Sequence, residues 1–169
     1  MNSELDGKIV LVTGGAGGIG SVISESFAEQ GAKVIVHYKH SKEKAEMIAK
    51  KIKGFAICAD LTDSEQTKEL FNDIIDKEGK IDICIANAGK YPKDYAPLWE
   101  IGIERWNNTI STNLSLTYNT SRYFLKHVAE TKKGSLVLIG STAGIYGEAG
   151  HADYAAAKGA ITSGLLRTL

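Results

Sequence analysis

Residues 8–30 read KIVLVTGGAGGIGSVISESFAEQ, and the order of residue types along that stretch decides the architecture. Lys8–Thr13 is a short apolar run rich in β-branched residues, the composition of a parallel strand buried on both faces. From Ile19 the apolar positions Ile19, Val22, Ile23 and Phe27 recur at helical spacing and predict an amphipathic helix. Between strand and helix lie Gly14, Gly15, Gly17 and Gly18, with Gly20 close behind. Strand, glycine turn and helix, in that order, are the context that makes a glycine pattern a dinucleotide fingerprint. The reason is access. Without Cβ atoms the turn is tight, and its amides approach a pyrophosphate closely. The free N–H groups and the positive dipole end of the helix then favour the phosphate charge. A purely structural glycine turn is the competing reading.

The chain as a whole sets the bounds. Its 169 residues suffice for one domain with a sizeable core. A hydrophobic content of 43% and a charged content of 24% describe an ordinary globular protein. Twenty basic and twenty acidic side chains cancel, so bulk charge points to neither nucleic acid nor membrane as a partner. There is no apolar run of 18 residues and no basic-then-apolar leader, so the expected location is cytoplasmic. Two prolines and no low-complexity segment leave little room for a linker. His37, His40, His127 and His151 show no metal-ligand spacing, and no metal site is expected.

Outward from the glycine turn, strands and helices alternate. Gly31 is placed to end the first helix, and Lys33–Tyr38 reads as a second strand. Ser41 is placed to cap a helix running to about Lys53, and Gly54–Ala59 is a third strand. Asp63 or Ser64 opens a helix with Leu70, Phe71, Ile74 and Ile75 on its apolar face, stopping at Gly79. Ile81–Ala86 is a fourth strand, and residues 87–103 form a loop broken by Pro92 and Pro97. A long helix spans about Glu104 to Thr131, Gly134–Gly140 is a fifth strand, and a last helix begins near His151–Asp153. Such alternation implies right-handed βαβ units and a parallel sheet covered on both faces. A flavodoxin-like fold has the same alternation. In the doubly wound order, Cys58 and Cys84 lie on strands separated by two others, roughly 14 Å apart. That exceeds disulfide reach of about 7 Å. Both are expected to be buried and reduced.

Several motifs then resemble one family. Thr13-Gly14-x-x-x-Gly18-x-Gly20 fits the short-chain dehydrogenase/reductase pattern, although the same letters also fit Thr13-Gly14-x-x-Gly17-x-x-Gly20 of the epimerase-like branch. Asn87-Ala88-Gly89 after the fourth strand resembles the NAG motif of the compact oxidoreductase branch and favours it. Thr112-Asn113-Leu114 matches the family's active-site asparagine, in a helix interior that does not suit asparagine. Ser141 precedes Tyr154 by thirteen residues, the family spacing, and Tyr154-Ala155-Ala156-Ala157-Lys158 is its YxxxK pair. A YxxxK pair alone can be a solvent-facing helix pair; in register with the other motifs it is not.

An i, i+4 pair shares one helix face, so Tyr154 and Lys158 can reach the same site. A free tyrosine titrates near pH ~10 and needs a shift of about 3 units, or roughly 4 kcal/mol, to act near neutrality. One ammonium at about 4 Å, at an effective dielectric of about 20, supplies roughly that much before desolvation.

The resemblance implies a Rossmann-type doubly wound α/β fold and an NAD(P)-dependent oxidoreductase interconverting a carbonyl and a secondary alcohol. Tyr154 would exchange the proton, Ser141 polarise the substrate oxygen, and Asn113 hold a relay water. Lys158 would assist Tyr154 and, with it, bind the nicotinamide ribose. The glycine turn (Thr13, Gly14, Gly18, Ile19, Gly20), Asp60 with Leu61, and Asn87, Ala88 and Gly89 would bind the rest of the cofactor. A helix-capping or turn carboxylate is the competing reading for Asp60. The second strand ends His37-Tyr38-Lys39-His40-Ser41-Lys42 without an acid, so Lys39 or Lys42, with Ser41 as a donor, is expected to favour NADP over NAD; two solvated loop lysines are the competing reading. Gly17, where many NADP-using relatives carry a basic residue, leaves half of the positive clamp missing. Family members pair through the helices that begin here near Glu104 and His151, implying a homodimer or homotetramer. They also continue through further strands, so residues 1–169 read as one dinucleotide-binding domain with its C-terminal strands missing and its fifth strand an uncovered edge. A non-catalytic NAD(P)-binding sensor or scaffold remnant is the alternative.

Overall fold

The computed structural model describes residues 4–169 of the chain. Ile9–Val12 forms β1, four buried residues, followed by α1 (Gly18–Glu29), β2 (Lys33–Tyr38), α2 (Lys42–Lys51) and β3 (Phe55–Cys58). Next come α3 (Ser64–Glu78) and β4 (Ile83–Ala86). A 3₁₀ turn at Leu98–Glu100 interrupts the proline-broken loop. The long helix is α4 (Ile103–Ile110) and α5 (Leu116–Thr131), joined without a break by a π-helical stretch at Ser111–Ser115. β5 (Ser135–Leu138) leads to a short α6 (Ala143–Tyr146), then to α7 (Ala152–Gly159), a second π stretch (Ala160–Leu165) and α8 (Leu166–Thr168).

All five strands are parallel, in the order β3-β2-β1-β4-β5. The flavodoxin-like order would begin 2-1-3, so strand order separates the two alternatives. Successive strands are added to one side of β1 up to β3 and to its other side from β4, which makes the β1–β4 junction the topological switch point. Alternate strand residues build two cores. Leu11, Ile35 and Cys84 pack with Leu70, Phe71 and Ile74 of α3 and Phe124 of α5. Val10, Val12, Val34 and Val36 pack on the other face with Ala45 and Ile48 of α2. Both faces are therefore covered, as parallel sheets require.

Three expectations are corrected. Ile19 and Val22 do not face the core but are 65% and 64% exposed. Ile23 and Phe27 do pack against the core, half-buried, while the fully buried positions of α1 are Gly20 and Ser24, because the start of the helix lies too close to the turn for larger side chains. A methyl on Gly20 would sit 2.2 Å from the carbonyl oxygen of Gly14. Cys58 is exposed, while Cys84 is fully buried. The former lies on β3, an edge strand with less cover. Finally, Ser41 stands at the N-cap position of α2, but its side chain makes no capping hydrogen bond. By contrast, Asp63 caps α3 by accepting from the N–H groups of Glu65 and Gln66, and Gly79 ends that helix in the left-handed conformation.

Candidate functional site

A cavity of about 710 Å³ opens beyond the C-terminal ends of the strands, at the switch point. This is where open α/β sheets bind ligands, and the size suits a ligand cleft. One wall is the glycine turn and the start of α1, with Gly14, Gly18, Ile19 and Gly20. The second follows β2 and β3, with Lys39, Ser41, Asp60 and Leu61. The third follows β4, with Asn87, Ala88 and Gly89. The first N–H groups of α1 have no partners within the helix and no side-chain cap. A Cβ at Gly18 would meet only open space, so this edge of the turn is clear for a ligand. These features fit a phosphate-bearing dinucleotide.

Thr13 lies behind the wall rather than on it. Its buried hydroxyl donates to Ile85 O at 3.2 Å and accepts from the N–H groups of Asn87 and Ala88 at 2.9 and 3.0 Å. Asn87 Nδ2 in turn donates to Thr13 O at 2.9 Å. The two residues stitch the end of β1 to the end of β4 and set the gap between two of the walls.

Lys39 and Asp60 meet across the second wall as an ion pair of 2.6 Å. Partial burial pushes the Asp60 carboxyl up, but Lys39 and Thr62 outweigh it and hold it below the usual carboxylate range. Lys39 is therefore engaged by a carboxylate rather than held as a free cation.

The remaining predicted residues do not line this cavity but gather around α7, behind Gly89 of its third wall. Asn113 is fully buried in the π stretch; its Nδ2 donates to Lys90 O at 2.9 Å and Thr109 O at 3.0 Å, and its Oδ1 accepts Lys90 N–H at 3.2 Å. A methyl on Gly89 would lie 2.9 Å from Asn113 Oδ1 and 3.7 Å from Lys158 Nζ, so the asparagine and the lysine share one spot. Lys158 Nζ stands 5.9 Å from the centre of the Tyr154 ring and donates to Ile139 O at 2.8 Å. Burial lowers its proton affinity below that of an ordinary lysine. Ser141 follows β5 by three residues, and its Oγ accepts Ala143 N–H at 3.2 Å. The turn carrying Ser141 is pressed against α7, because a methyl on Gly144 would meet the Lys158 carbonyl carbon at 2.5 Å. Thus all four residues converge on α7.

Several neighbours escaped sequence reasoning. Asp153, fully buried, takes two hydrogen bonds from Arg105 (3.0 and 3.3 Å) and one from Thr109 (2.8 Å), clamping the start of α7 to α4. Tyr91 stacks on His151 and meets the Tyr154 ring edge-on at 5.1 Å. His37 bridges two cavity walls. Only strand parity carried a signal for His37, which shares its face of β2 with Ile35. The others depend on loops and crossings no local pattern reports. Among the described residues, no group of three or more His, Cys, Asp or Glu side chains could hold a metal ion.

Comparison with known proteins agrees with this fold. Residues 8–169 match the family described as short chain dehydrogenase. A 3-oxoacyl-(acyl-carrier-protein) reductase of Thermotoga maritima is 34% identical over 94% of this chain and 65% of its own length. Versicolorin reductase 1 of Aspergillus parasiticus is 36% identical over 95% of this chain and 62% of its own. The crystal structure of an NAD+-bound xylitol dehydrogenase superposes with a TM-score of 0.90 at 25% identity, covering 95% of this chain and 63% of that one. The chain thus spans less than two thirds of the length of these relatives.

Proposed function

The chain belongs to the short chain dehydrogenase family, and from that premise we propose that it is a single NAD(P)-binding domain that interconverts a carbonyl and a secondary alcohol. The observation that carries this reading is the convergence of Asn113, Ser141, Tyr154 and Lys158 on α7, next to Gly89 of the cavity's third wall. Gly14, Gly18, Ile19 and Gly20 would hold the pyrophosphate, and Asp60, Leu61, Asn87, Ala88 and Gly89 the adenine side and the sheet-facing side. A nicotinamide dinucleotide bound there supplies the hydride, and the chain supplies position and charge.

In the reducing direction Tyr154 gives its hydroxyl proton to the substrate oxygen while Ser141 donates a hydrogen bond to that oxygen. The ammonium of Lys158 on the same helix favours the negative oxygen left on Tyr154. Asn113 holds the Lys90 backbone and a relay water beside Lys158. Tyr154→Phe tests the assignment. Turnover of a generic ketone should fall by about 10³-fold, with cofactor affinity within about twofold of the parent. Retained turnover would sink the role of Tyr154. Tight cofactor binding with no turnover by the parent on any carbonyl or alcohol would favour a sensor instead.

NADP is the preferred cofactor in this reading, because no acid follows β2 to repel a 2′-phosphate. The Lys39–Asp60 pair is partly exposed, and such pairs contribute about 0–1 kcal/mol, so a phosphate can recruit Lys39 away from Asp60. The substrate is a small carbonyl or alcohol compound. Self-association and a cytoplasmic location complete the proposal.

A further inference from the structure

His37 is the penultimate residue of β2, and it is 3% exposed. Its Nδ1 lies 2.9 Å from the N–H nitrogen of Gly14, and its Nε2 lies 3.0 Å from the carbonyl oxygen of Ala59. A carbonyl oxygen only accepts, so Nε2 carries the proton and Nδ1 is the bare acceptor for Gly14. Two backbone groups therefore fix one neutral tautomer. They belong to different walls of the cavity: Gly14 opens the glycine turn, and Ala59 precedes Asp60. The His37 carbonyl adds a third tie, accepting the N–H of Gly15 at 2.9 Å. One residue thus holds two successive N–H groups of the turn, at the point where Gly14 takes a left-handed φ of +62°.

We propose that His37 is a positioning residue for the dinucleotide: its neutral ring sets the separation between the glycine turn and the end of β3, so that loss of the ring acceptor weakens nucleotide binding. The inference rests on reading the cavity as a dinucleotide site. The backbone carbonyl of His37 would survive substitution, whereas the two ring contacts would not. An unpaired Gly14 N–H is free to swing toward a new partner and carry the turn with it.

Charge around the ring comes from two sides. Lys39 follows on β2, and Asp60 follows Ala59 at the end of β3; the glycine turn brings no titratable side chain. Burial lowers the proton affinity of the ring more than the Ala59 carbonyl and Asp60 raise it, leaving the imidazole at about 4. Protonation would set an N–H against the N–H of Gly14 with no acceptor between them.

The experiment is calorimetric titration of the chain with whichever of NADP and NAD it binds more tightly, beside His37→Leu and His37→Asn. Leucine keeps bulk and removes both polar contacts, while asparagine keeps an acceptor near the place of Nδ1. We expect His37→Leu to weaken binding about tenfold or more and His37→Asn to stay within about threefold of the parent. Between about pH 7 and about pH 4, where half of the rings carry a proton, the affinity of the parent should fall about twofold relative to that of His37→Asn. That ratio isolates the imidazole, since Asp60, Lys39 and the cofactor phosphates titrate in both proteins. Leucine binding as tightly as the parent would overturn the inference, as would a ratio that is flat with pH. Should His37→Leu fail to fold, the ratio of parent to His37→Asn decides alone. A parent that binds neither nucleotide overturns the cofactor reading itself, and this inference with it.

Discussion

Tyr154 and His37 show how much a single side chain owes to its surroundings. Tyr154 lies between the Lys158 ammonium on its own helix and the ring of Tyr91 from a loop, so its orientation is set from two directions. His37 is a different case, because its charge state is coupled to the fold. Its proton affinity drops from the ordinary 6.5 to about 4 on burial, so between those values the unfolded chain binds a proton that the folded chain refuses. Stability therefore rises with pH from about 4 to about 6.5 and is lost on acidification, by on the order of 3 kcal/mol in full. Asp153, also held low in the folded state, extends the loss below the usual carboxylate range. Urea midpoints measured at pH values spanning that window should fall steadily toward acid, and His37→Asn should flatten the upper part of the slope. At the second wall, Lys39→Asp should shift preference from NADP toward NAD. Tighter binding of NAD than NADP by the parent would already refute the assignment.

Between residue and domain, the helices explain why the site is where it is. A glycine at position 20 lets α1 dock against the turn; Gly20→Ala should destabilise the chain by about 3 kcal/mol, read from denaturant unfolding, because the methyl meets backbone. The long helix makes a different concession. Its π stretch at Ser111–Ser115 contains Asn113, and such bulges recur at functional sites. Asn113→Ala should cost about 1–3 kcal/mol, since Lys90 loses partners for both its N–H and its carbonyl. Turnover should fall further than stability alone accounts for, a split that kcat measured below the melting range resolves. α7 is fixed at its start by the Arg105–Asp153 pair, whose carboxylate is fully buried and sits on the residue immediately before Tyr154.

Over the whole molecule, both edges of the sheet are accessible. β3 exposes Cys58, and β5 leaves Val137 43% exposed. No helix among the described residues is long and apolar enough to cross a membrane. Apolar side chains do stand out on the helices proposed for self-association: Ile103 on α4 and Tyr118 on α5 are 70% and 51% exposed, as is Leu166 on α8 at 53%. Burying such side chains between copies would contribute about 25 cal/mol per Å² of apolar area removed from water. Light scattering at micromolar concentration should therefore report at least a dimer, and substitution of Ile103 and Tyr118 by lysine should shift the population toward monomer. A monomeric parent would count against this arrangement.

Sequence alone determined what depends on near neighbours and on periodicity. The strand–glycine turn–helix unit, the bounds of β2, the Asp63 cap and Gly79 stop of α3, and the Tyr154–Lys158 pair are all local, set by backbone conformation or by one helix turn. The motif spacings then placed the chain in its family. Tertiary structure decided what depends on distance across the sheet. Strand order excluded the flavodoxin-like alternative, and close packing of α1 turned Ile19 and Val22 outward. Position at a sheet edge exposed Cys58. The Lys39–Asp60 pair, the Arg105–Asp153 clamp and the two-walled grip of His37 each join residues far apart in the chain. Periodicity reports which face of an element is apolar; it carries no information about which distant polar group will complete a hydrogen bond there.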